Sequence, residues 1–495
     1  MRCKIVILPQ QKTIEAVKGE KLLDALARAE IYLHASCGGR GICGKCKVKI
    51  VRGNLDNVTP DEEGCVLSCK AVLKEDLTVF LPEQTGGGVT EFEESSIQGE
   101  ISGLGVALDI GTTTLGACLV CLKTGETLKK TSALNPQGVY GADVLSRIQA
   151  CKEGKLSLLQ RLILDKTNEL IKILADGEEI IELSVSANTT MLHLFLGVDP
   201  QTIGVYPFTP VFLEEQVLQG ESLGVNAKTV RLLPSASAYI GSDITAGVFT
   251  CGMRGMLKTE LFVDIGTNGE IVLLNKGKLY ATSTAAGPAL EGACIECGIG
   301  GVAGAIDKVA FQKGELYCTT INGEKAKGIC GSGLIDLLAI LKAEKLIDEN
   351  GTFNEDSEST LAVKLCEDRF YINEDIYLSQ KDIRQFQLAK SAIISGIETL
   401  LIEKNVLETE IESLYIAGGL GYFMNVDHAV ETGLLPKSLR NKAKAVGNTS
   451  LAGAKSCLLQ KQAREAICNI AKETEIVELS FSQIFQEKYV ENMSF

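Results

Sequence analysis

A chain of 495 residues is long enough for about three domains, each with its own hydrophobic core. The net charge of −14 argues against a nucleic-acid partner held through its phosphates, and the lack of any apolar run of about eighteen residues predicts no membrane span. The first residues have a strand-like pattern and not that of a secretory signal, so we expect a cytoplasmic protein whose seventeen cysteines stay reduced.

The first 84 residues have the element order of a small α+β domain. Strands are predicted over 2–8, 12–17, 47–51 and 76–81. A helix is predicted over 20–30, where apolar residues recur at helical spacing. A second helix is predicted to begin at Thr59, because Pro60 suits the first helical turn and Glu62 completes a capping box.

Three cysteines fall within ten residues of the loop after the first helix, Cys37-Gly38-Gly39-Arg40-Gly41-Ile42-Cys43-Gly44-Lys45-Cys46. Thiolates bind iron as charged ligands, and the four glycines let the backbone turn sharply around a cluster. The spacing C-x5-C-x2-C resembles the cluster loop of adrenodoxin-like 2Fe–2S ferredoxins; plant-type ferredoxins have four residues in the first gap. The resemblance implies a β-grasp ferredoxin domain whose 2Fe–2S cluster is bound by Cys37, Cys43, Cys46 and, further along the chain, Cys69.

Two features of this predicted site stay open in the sequence. Cys65 and Cys69 both lie where a fourth ligand is needed, and we favour Cys69 because Leu67-Ser68-Cys69 resembles the Leu-Ala-Cys segment of the ferredoxins. The nearby cations, among them Arg40 and Lys45, either steer an acidic electron-transfer partner or balance a negative cluster. A zinc site is the weaker alternative, because it would need two separated C-x2-C pairs or a mixture of cysteine and histidine.

Residues 85–102 differ in composition from the segments on either side. Glycine and acidic residues dominate and apolar anchors are few, which predicts a flexible linker. The predicted organisation is therefore a ferredoxin domain at 1–84, this linker, and two subdomains at 103–258 and 259–495. A ferredoxin domain on such a linker can swing between partners.

Two strand–turn–strand segments after the linker share the sequence Asp-Ile-Gly-Thr. The first contains Asp109-Ile110-Gly111-Thr112-Thr113-Thr114, and the second contains Asp264-Ile265-Gly266-Thr267-Asn268. Their aspartates lie 155 residues apart, which fits two similar domains and is too long for a solenoid repeat. Glycine lets the backbone amides face a polyphosphate, the threonine hydroxyls add donors, and an aspartate at the strand end suits hydrated Mg²⁺.

A third glycine-rich turn, Gly418-Gly419-Leu420-Gly421, follows the predicted strand at 413–417. Its missing side chains would leave a flat surface for an adenosine. Together the three segments resemble the phosphate-1, phosphate-2 and adenosine motifs of the ASKHA superfamily, which includes acetate and sugar kinases, Hsp70 and actin. The resemblance implies a two-lobed α/β ATPase in which Asp109 and Asp264 organise Mg²⁺. Its implied ATP contacts are Gly111, Thr112, Thr113, Thr114, Gly266, Thr267 and Asn268 for the phosphates, and Gly418, Gly419 and Gly421 for the adenosine.

Several polar residues between these motifs have two interpretations. Asn188, Thr189 and Asp243 are candidates for positioning an attacking water, and each could equally cap a helix. The glycine-rich segment 328–333 introduces a helix whose N-terminus could contact nucleotide. Longer helices are predicted over 379–405, with Ser379 as N-cap and Asp382 at N3, and over 448–473, which would close the second subdomain.

The remaining cysteines are best explained as ordinary thiols. Cys118 and Cys121 lie at i and i+3 of a predicted strand, so they point to opposite faces and cannot easily share a metal. Cys294 and Cys297 would need further ligands to bind a cluster, and buried thiols are usually inert.

A ferredoxin joined to an ASKHA ATPase implies ATP-coupled electron transfer, because ordinary ferredoxin chemistry needs no ATP. Over nearly its whole length the chain resembles the reductive activators of corrinoid proteins found in anaerobes. The resemblance is carried by the cysteine loop and by residues 109–114, 135–137, 141–147, 188–191, 287–292 and 417–421. It implies an enzyme that reduces the Co(II) corrinoid of a methyltransferase system to Co(I) with an electron from its own cluster, at the expense of ATP.

The implied partners are a corrinoid protein and an external low-potential electron donor, because the tail after Cys468 has no second cysteine array. Three other classes stay open. An activator of 2-hydroxyacyl-CoA dehydratase couples the same ATPase to a cluster between two subunits, for which Cys294 and Cys297 would be the ligands. A small-molecule kinase would transfer phosphate to an acceptor, and an actin-like filament would not use a cluster. The corrinoid protein, the electron donor, the water-positioning residue and the oligomeric state, a homodimer included, are not identified by the sequence.

Overall fold

The computed structural model describes residues 2–29, 31, 33, 35, 39, 41, 44–61, 63–81, 91–92, 98–141, 143–255 and 257–495. Of the predicted cluster ligands, Cys46 and Cys69 are described, whereas Cys37 and Cys43 lie outside the described residues. Arg40 and most of the predicted linker also lie outside them.

The N-terminal domain contains a five-stranded mixed sheet with one helix against it. Its elements are β1 (Arg2–Leu8), β2 (Lys12–Val17), α1 (Leu22–Arg28), β3 (Lys47–Arg52), β4 (Leu55–Asp56), β5 (Cys65–Leu67), β6 (Val72–Leu73) and β7 (Leu77–Phe80). The strand order is β2-β1-β7-β3-β5, with β1 and β7 parallel and the other pairs antiparallel. Leu22 and Leu26 of α1 are fully buried in the core of this domain. The predicted strands and the first helix are therefore confirmed.

The prediction that a helix begins at Thr59 is wrong. The described residues around it form a turn in which the Asp61 carboxylate accepts hydrogen bonds from the amides of Glu63 and Cys65 at 3.2 and 2.8 Å. Gly64 then has a φ of +78°, which ends any helical path, and β5 begins at the next residue. The capping pattern was outweighed by the pairing of β5 with β3.

The first lobe of the larger body contains a six-stranded sheet of order β10-β9-β8-β11-β13-β12. Its elements are β8 (Leu104–Ile110), β9 (Thr114–Cys121), β10 (Thr127–Leu134), α2 (Val144–Ala150), α3 (Leu156–Ala175), β11 (Ile180–Ala187), α4 (Thr189–Leu196), β12 (Gln216–Gln219), α5 (Gly220–Leu223), β13 (Thr229–Leu232) and α6 (Ser242–Thr250). β8, β9 and β10 form an antiparallel meander, and β11 and β13 continue the sheet parallel to β8.

The second lobe contains a six-stranded sheet of order β24-β23-β14-β15-β16-β25. Its strands are β14 (Thr259–Ile265), β15 (Gly269–Asn275), β16 (Lys278–Thr284), β17 (Ala305–Gln312), β18 (Glu315–Thr320), β19 (Gly328–Ile329), β20 (Leu365–Cys366), β21 (Arg369–Tyr371), β22 (Tyr377–Ser379), β23 (Ser413–Ala417), β24 (Ala443–Gly447) and β25 (Glu475–Ile476). Its helices are α7 (Gly331–Ala343), α8 (Gln380–Glu403), α9 (Gly418–Phe423), α10 (Val426–Glu431), α11 (Thr449–Leu459), α12 (Lys461–Glu473) and α13 (Gln483–Glu491). Ser379 caps α8 and Asp382 closes the capping box, as predicted.

The two large sheets repeat one topology. β14, β15 and β16 form an antiparallel meander, and β23 and β24 extend it parallel to β14, as β11 and β13 extend the first sheet. The two Asp-Ile-Gly-Thr segments therefore lie at equivalent places, in the turns β8–β9 and β14–β15. This confirms that the repeated motif marks two similar domains.

The C-terminal helices depart from the prediction of one helix over 448–473. The helix breaks at Gln460, whose φ and ψ of −138° and 130° are extended, so α11 and α12 are separate, and α13 follows them. α11 packs against the first lobe, because Leu451 and Leu458 share a buried cluster with Ala107 and Val120. This return of the chain brings the start of α11 to the cleft between the lobes.

The part of the predicted linker that is described contacts the larger body. Phe92 is buried, and the backbone oxygen of Glu91 accepts a hydrogen bond of 2.9 Å from the amide of Asn448. The domain and linker boundaries stay predictions. Among the helices of the described residues, none is both long and apolar enough to cross a membrane.

Candidate functional site

A cavity of about 290 Å³ lies between the two lobes. It is lined by most of the residues predicted to bind nucleotide and by several that sequence reasoning missed. The predicted residues in its lining are Asp109, Gly111, Thr112, Thr113, Thr114, Asn188, Asp243, Asp264, Gly266, Thr267, Asn268, Gly418 and Gly419. Gly421 is outside this lining: a Cβ there would lie 2.7 Å from Ile416 Cγ2, so this glycine lets α9 pack on β23.

The turns of the two hairpins meet across the cavity. The hydroxyl oxygens of Thr112 and Thr267 are 3.3 Å apart, although the residues are 155 positions apart in the chain. Glu291, at the end of a short turn of helix after β16, accepts from the hydroxyls of Thr113 and Thr267 at 2.8 and 2.9 Å. One carboxylate therefore joins the turns of both hairpins. Glu291 belongs to the segment 287–292 that carries the family resemblance, but it was not predicted as a site residue.

Asp109 is bound by the first turn of α11. Its carboxylate accepts hydrogen bonds from Asn448 Nδ2 at 2.8 Å and from Ser450 Oγ at 2.6 Å. Asn448 also caps α11, accepting from the amide of Leu451 at 2.8 Å. Asn448 and Ser450 line the cavity and were not predicted as site residues, because no local pattern links them to a strand more than 300 residues earlier.

Acidic side chains crowd the cavity, and burial together with neighbouring carboxylates raises the pKa of three of them, Asp243, Asp264 and Glu270. Burial and the neighbouring carboxylates Asp264 and Asp109 raise the pKa of Asp243 to about 8. Burial, Asp109 and Glu291 raise the pKa of Asp264 to about 7. Burial raises the pKa of Glu270 well above its usual range, with Asp243 and Asp264 adding to the shift. A cation bound here would relieve this repulsion.

The acidic residues suit a metal that is held largely through its own waters. Among the described residues, no three His, Cys, Asp or Glu side chains form a group that could ligate a metal ion directly. Mg²⁺ commonly keeps several waters and takes one or two carboxylates together with substrate phosphates. Asp109 and Asp264 fit that mode of binding, and their role toward Mg²⁺ stays a proposal.

The glycines at the end of β23 open space for a ligand beside Asp264. Gly418 has a φ of +84°, and a Cβ there would lie 2.5 Å from Asp264 Oδ1. The predicted turn is in fact the first turn of α9, so the glycines enter a helix directly. The first residues of α7 also line the cavity, where their free amides can face an anion. This cradle fits a nucleotide, whose phosphates would face the threonine turns.

A fully buried arginine supports the turn of the first hairpin. Arg147 donates to the backbone oxygen of Thr112, to Gly141 O at 3.0 Å and to Gln137 Oε1 at 3.1 Å. Burial lowers its pKa to about 9, so it is charged at neutral pH. Asn135 adds a bond from its Nδ2 to Gly111 O at 2.8 Å. Both residues belong to segments that carry the family resemblance, 135–137 and 141–147, but neither was predicted as a site residue.

The three candidates for positioning water have different surroundings. Asn188 lines the cavity but also caps α4, accepting from the amide of Met191 at 2.9 Å. Thr189 donates to the backbone oxygen of Ser237 at 2.6 Å. Asp243 lines the cavity beside Asp264 and has the raised pKa described above. Of the three, Asp243 is the best placed for proton transfer, because Asn188 is engaged as a helix cap and Thr189 by its bond to Ser237 O.

The described part of the cysteine loop has the geometry expected around a cluster. Gly39, Gly41 and Gly44 have φ values of +79°, +76° and +72°, which confirms the need for glycine. Cys46 and Cys69 are buried thiols, and a Cβ on Gly39 would lie 3.9 Å from Cys69 Cβ. Cys65 lies on β5, paired with Lys49 of β3. The loop thus passes Cys69, which favours Cys69 as the fourth ligand and fits the donor set of a 2Fe–2S cluster.

The other described cysteines and histidines form no comparable site. Cys294 is exposed and Cys297 half-buried, in a loop that follows Glu291. His193 is buried and stacks on Phe212, and its Nδ1 lies 2.8 Å from Thr189 O. His428 contacts a carboxylate oxygen of Asp336 at 2.6 Å, in the packing of α10 on α7.

Family models match three consecutive parts of the chain. The 2Fe–2S iron–sulfur cluster binding domain matches residues 5–74. The RACo middle region matches residues 104–256, and the C-terminal domain of RACo, the ASKHA domain, matches residues 258–495. These matches, together with the repeated sheet topology, confirm the predicted fold class of a ferredoxin domain joined to a two-lobed ASKHA body.

Relatives of known activity match across most of the chain. The corrinoid activation enzyme RamQ of Eubacterium limosum is 35% identical over 420 residues, covering 79% of this chain and 70% of that protein. The [Co(II) methylated amine-specific corrinoid protein] reductase of Methanosarcina barkeri is 25% identical over 436 residues, covering 79% and 77%. A solved structure, the reductive activator for corrinoid, iron–sulfur protein, aligns with a TM-score of 0.73 and 29% identity, covering 100% of this chain and 98% of that one.

These comparisons agree with the geometry of the ferredoxin domain and of the cleft between the ASKHA lobes. The chain belongs to the family of reductive activators of corrinoid proteins.

Proposed function

We propose that the protein reduces a Co(II) corrinoid to Co(I) in a reaction driven by ATP bound in the cleft between the lobes. One electron per cobalt passes from an external low-potential donor through the ferredoxin domain to the corrinoid, which is the substrate. A bound 2Fe–2S cluster supplies one-electron transfer. The observation that carries the proposal is that the turns of the two Asp-Ile-Gly-Thr hairpins meet, with 3.3 Å between the Thr112 and Thr267 hydroxyls, in a chain that also has a ferredoxin fold.

The residues of the cleft have separable roles in this proposal. Asp109 and Asp264 would hold hydrated Mg²⁺ from opposite lobes, and the hydroxyls of Thr112, Thr113 and Thr267 would donate to phosphate oxygens. Glu291 now accepts from two of these hydroxyls, so phosphate must compete with it or displace it. Nucleotide binding therefore changes the contacts that join the two lobes.

ATP can drive an unfavourable electron transfer only if it binds one complex of the two proteins more tightly than another. We infer that the ATP-bound lobes favour a complex in which the corrinoid cobalt loses an axial ligand, so that its reduction potential rises toward that of the electron donor. Asp243 would be the general base for the attacking water. Because its pKa of about 8 keeps it largely protonated at neutral pH, it would accept that proton only after a bound cation lowers the pKa.

The test uses Asp264→Asn in the full chain, purified without oxygen, with Asp165→Asn as its control. Asp165 is exposed on α3 of the first lobe. We expect Asp264→Asn to reduce phosphate release and corrinoid Co(II) loss roughly a hundredfold or more while keeping the EPR signal of the cluster. The proposal is overturned if this variant reduces the corrinoid at the parent rate, or if phosphate appears on an acceptor molecule, as a kinase requires.

A further inference from the structure

The cluster loop of the ferredoxin domain is held by a loop of the second lobe. Lys45, between two predicted cluster ligands, donates from Nζ to the backbone oxygens of Ile295 and Gly298, each at 2.7 Å, and lies 3.4 Å from that of Glu296. Residues 295–298 thus form a carbonyl socket, in which peptide oxygens converge on an ammonium group. The sequence predicted two possible roles for Lys45, steering an acidic partner or balancing the charge of the cluster. Neither role involves such a contact.

The carbonyl socket is stabilised by hydrogen bonds and close packing within the second lobe. The amide of Glu296 donates to Asp382 Oδ1 at 2.8 Å, and its carboxylate accepts from Tyr377 at 2.9 Å. A Cβ on Gly298 would lie 2.4 Å from Gly292 O, so the path of the loop requires glycine there. Because the Glu296 carboxylate is already engaged, the oxygens offered to Lys45 are those of the backbone. Convergent carbonyl dipoles suit a compact ammonium.

A second contact lies on the first lobe. Val139 is buried within the hydrophobic core of the ferredoxin domain, and Tyr140 packs against the same core. Both residues belong to the short helical turn Pro136–Tyr140, which follows Asn135. Among the described residues, the ferredoxin domain therefore contacts both lobes, at these two points.

Both points are connected to the phosphate-binding turns through a few residues. Asn135 bonds the first turn through Gly111 O at 2.8 Å, four residues before Val139. Glu291 bonds both turns and lies four residues before the carbonyl socket. A ligand that displaced either contact would act on a segment that also holds the ferredoxin domain.

We propose that the carbonyl socket is the docking site of the ferredoxin domain, with Lys45 as its anchor, and that nucleotide in the cleft shifts the docking equilibrium. The linkage to nucleotide rests on the proposed function, whereas the docking site does not. By thermodynamic reciprocity, loss of docking also changes nucleotide affinity.

The test uses an introduced indole, because the chain contains no tryptophan. Tyr140→Trp places the reporter at the first-lobe contact, and Lys45→Met is added to it. The matched control is Lys47→Met. Lys47 is exposed on β3, and its Nζ forms an ion pair with Asp61 Oδ2 at 3.3 Å, within the ferredoxin domain. We expect Lys45→Met to lower the ratio of docked to undocked protein roughly tenfold, read as a red shift and faster acrylamide quenching, with no change for Lys47→Met. The cluster EPR signal shows that each variant is folded.

Hydrogen exchange at Gly298 and Ile299, measured in the chain with native Tyr140, gives an independent reading and should accelerate in Lys45→Met. Unchanged fluorescence and exchange, or an equal effect of Lys47→Met, overturns the docking site. A non-hydrolysable ATP analogue should change the fluorescence of the Tyr140→Trp protein. It should leave the fluorescence of the Tyr140→Trp/Lys45→Met protein unchanged. If calorimetry shows that the analogue binds and the fluorescence does not change, the nucleotide linkage is overturned. If no nucleotide binds, the proposed function and the linkage fail together, and the docking result stands separately.

Discussion

Arg147→Met tests whether the buried arginine supports the first phosphate-binding turn. The substitution removes the donor of three oxygens, those of Thr112, Gly141 and Gln137, in a region that excludes water. A buried acceptor left without a partner costs about 1–3 kcal/mol, so three cost roughly 3–9 kcal/mol. The variant no longer buries a guanidinium, which offsets several kcal/mol of this cost. We expect a net local destabilisation of about 2–4 kcal/mol.

The expected result is weaker nucleotide binding. If about half of that free energy must be regained to order the turn around phosphate, affinity falls roughly tenfold, since 1.4 kcal/mol corresponds to a factor of ten. Isothermal calorimetry with a non-hydrolysable ATP analogue measures it directly. Arg161→Met, an exposed arginine on α3 of the same lobe, is the matched control and should bind as the parent does. Parent-like affinity in Arg147→Met would refute a supporting role for the guanidinium.

Cys69→Ser should abolish or alter the rhombic 2Fe–2S EPR signal and Cys65→Ser should keep it; the reverse result would make Cys65 the fourth ligand. Gly418→Ala should weaken nucleotide binding roughly tenfold, because its φ is +84° and its Cβ would meet a carboxylate oxygen at 2.5 Å. Gly19→Ala, with a φ of +87° and nothing within 4 Å, is its control and should leave binding unchanged. The carboxylate contact raises the pKa of His428, so the stability lost in His428→Gln should be largest below about pH 6.5 and should shrink as the pH rises through the raised value. Denaturation curves in which the stability lost in His428→Gln grows with pH would contradict this prediction.

Much of the fold could be predicted because its signals are local. The strands Leu104–Ile110 and Thr259–Ile265 each lead into a turn with the sequence Asp-Ile-Gly-Thr, and that repeat by itself indicated two similar domains. Turn chemistry also identified the cluster loop, where the described glycines have positive φ. The helix expected at Thr59 failed because a capping pattern is a weak local preference and strand pairing outweighed it.

The rest of the candidate site depends on contacts between distant parts of the chain. Asn448 and Ser450 reach Asp109 only because α11 returns to the first lobe, and no periodicity encodes that return. Glu291 joins two turns from a third segment, so its role appears only when all three are assembled. Lys45 has the same character: its neighbours in sequence are cluster ligands, whereas its hydrogen-bond partners lie about 250 residues later.

The measurement that tests the central claim most directly is the loss of the Co(II) EPR signal of a corrinoid protein mixed with the reduced, full-length chain. The account predicts fast loss with ATP and Mg²⁺ and little loss with ADP or without nucleotide. Equal rates under all three conditions would contradict it, because the cleft would then have no part in the electron transfer.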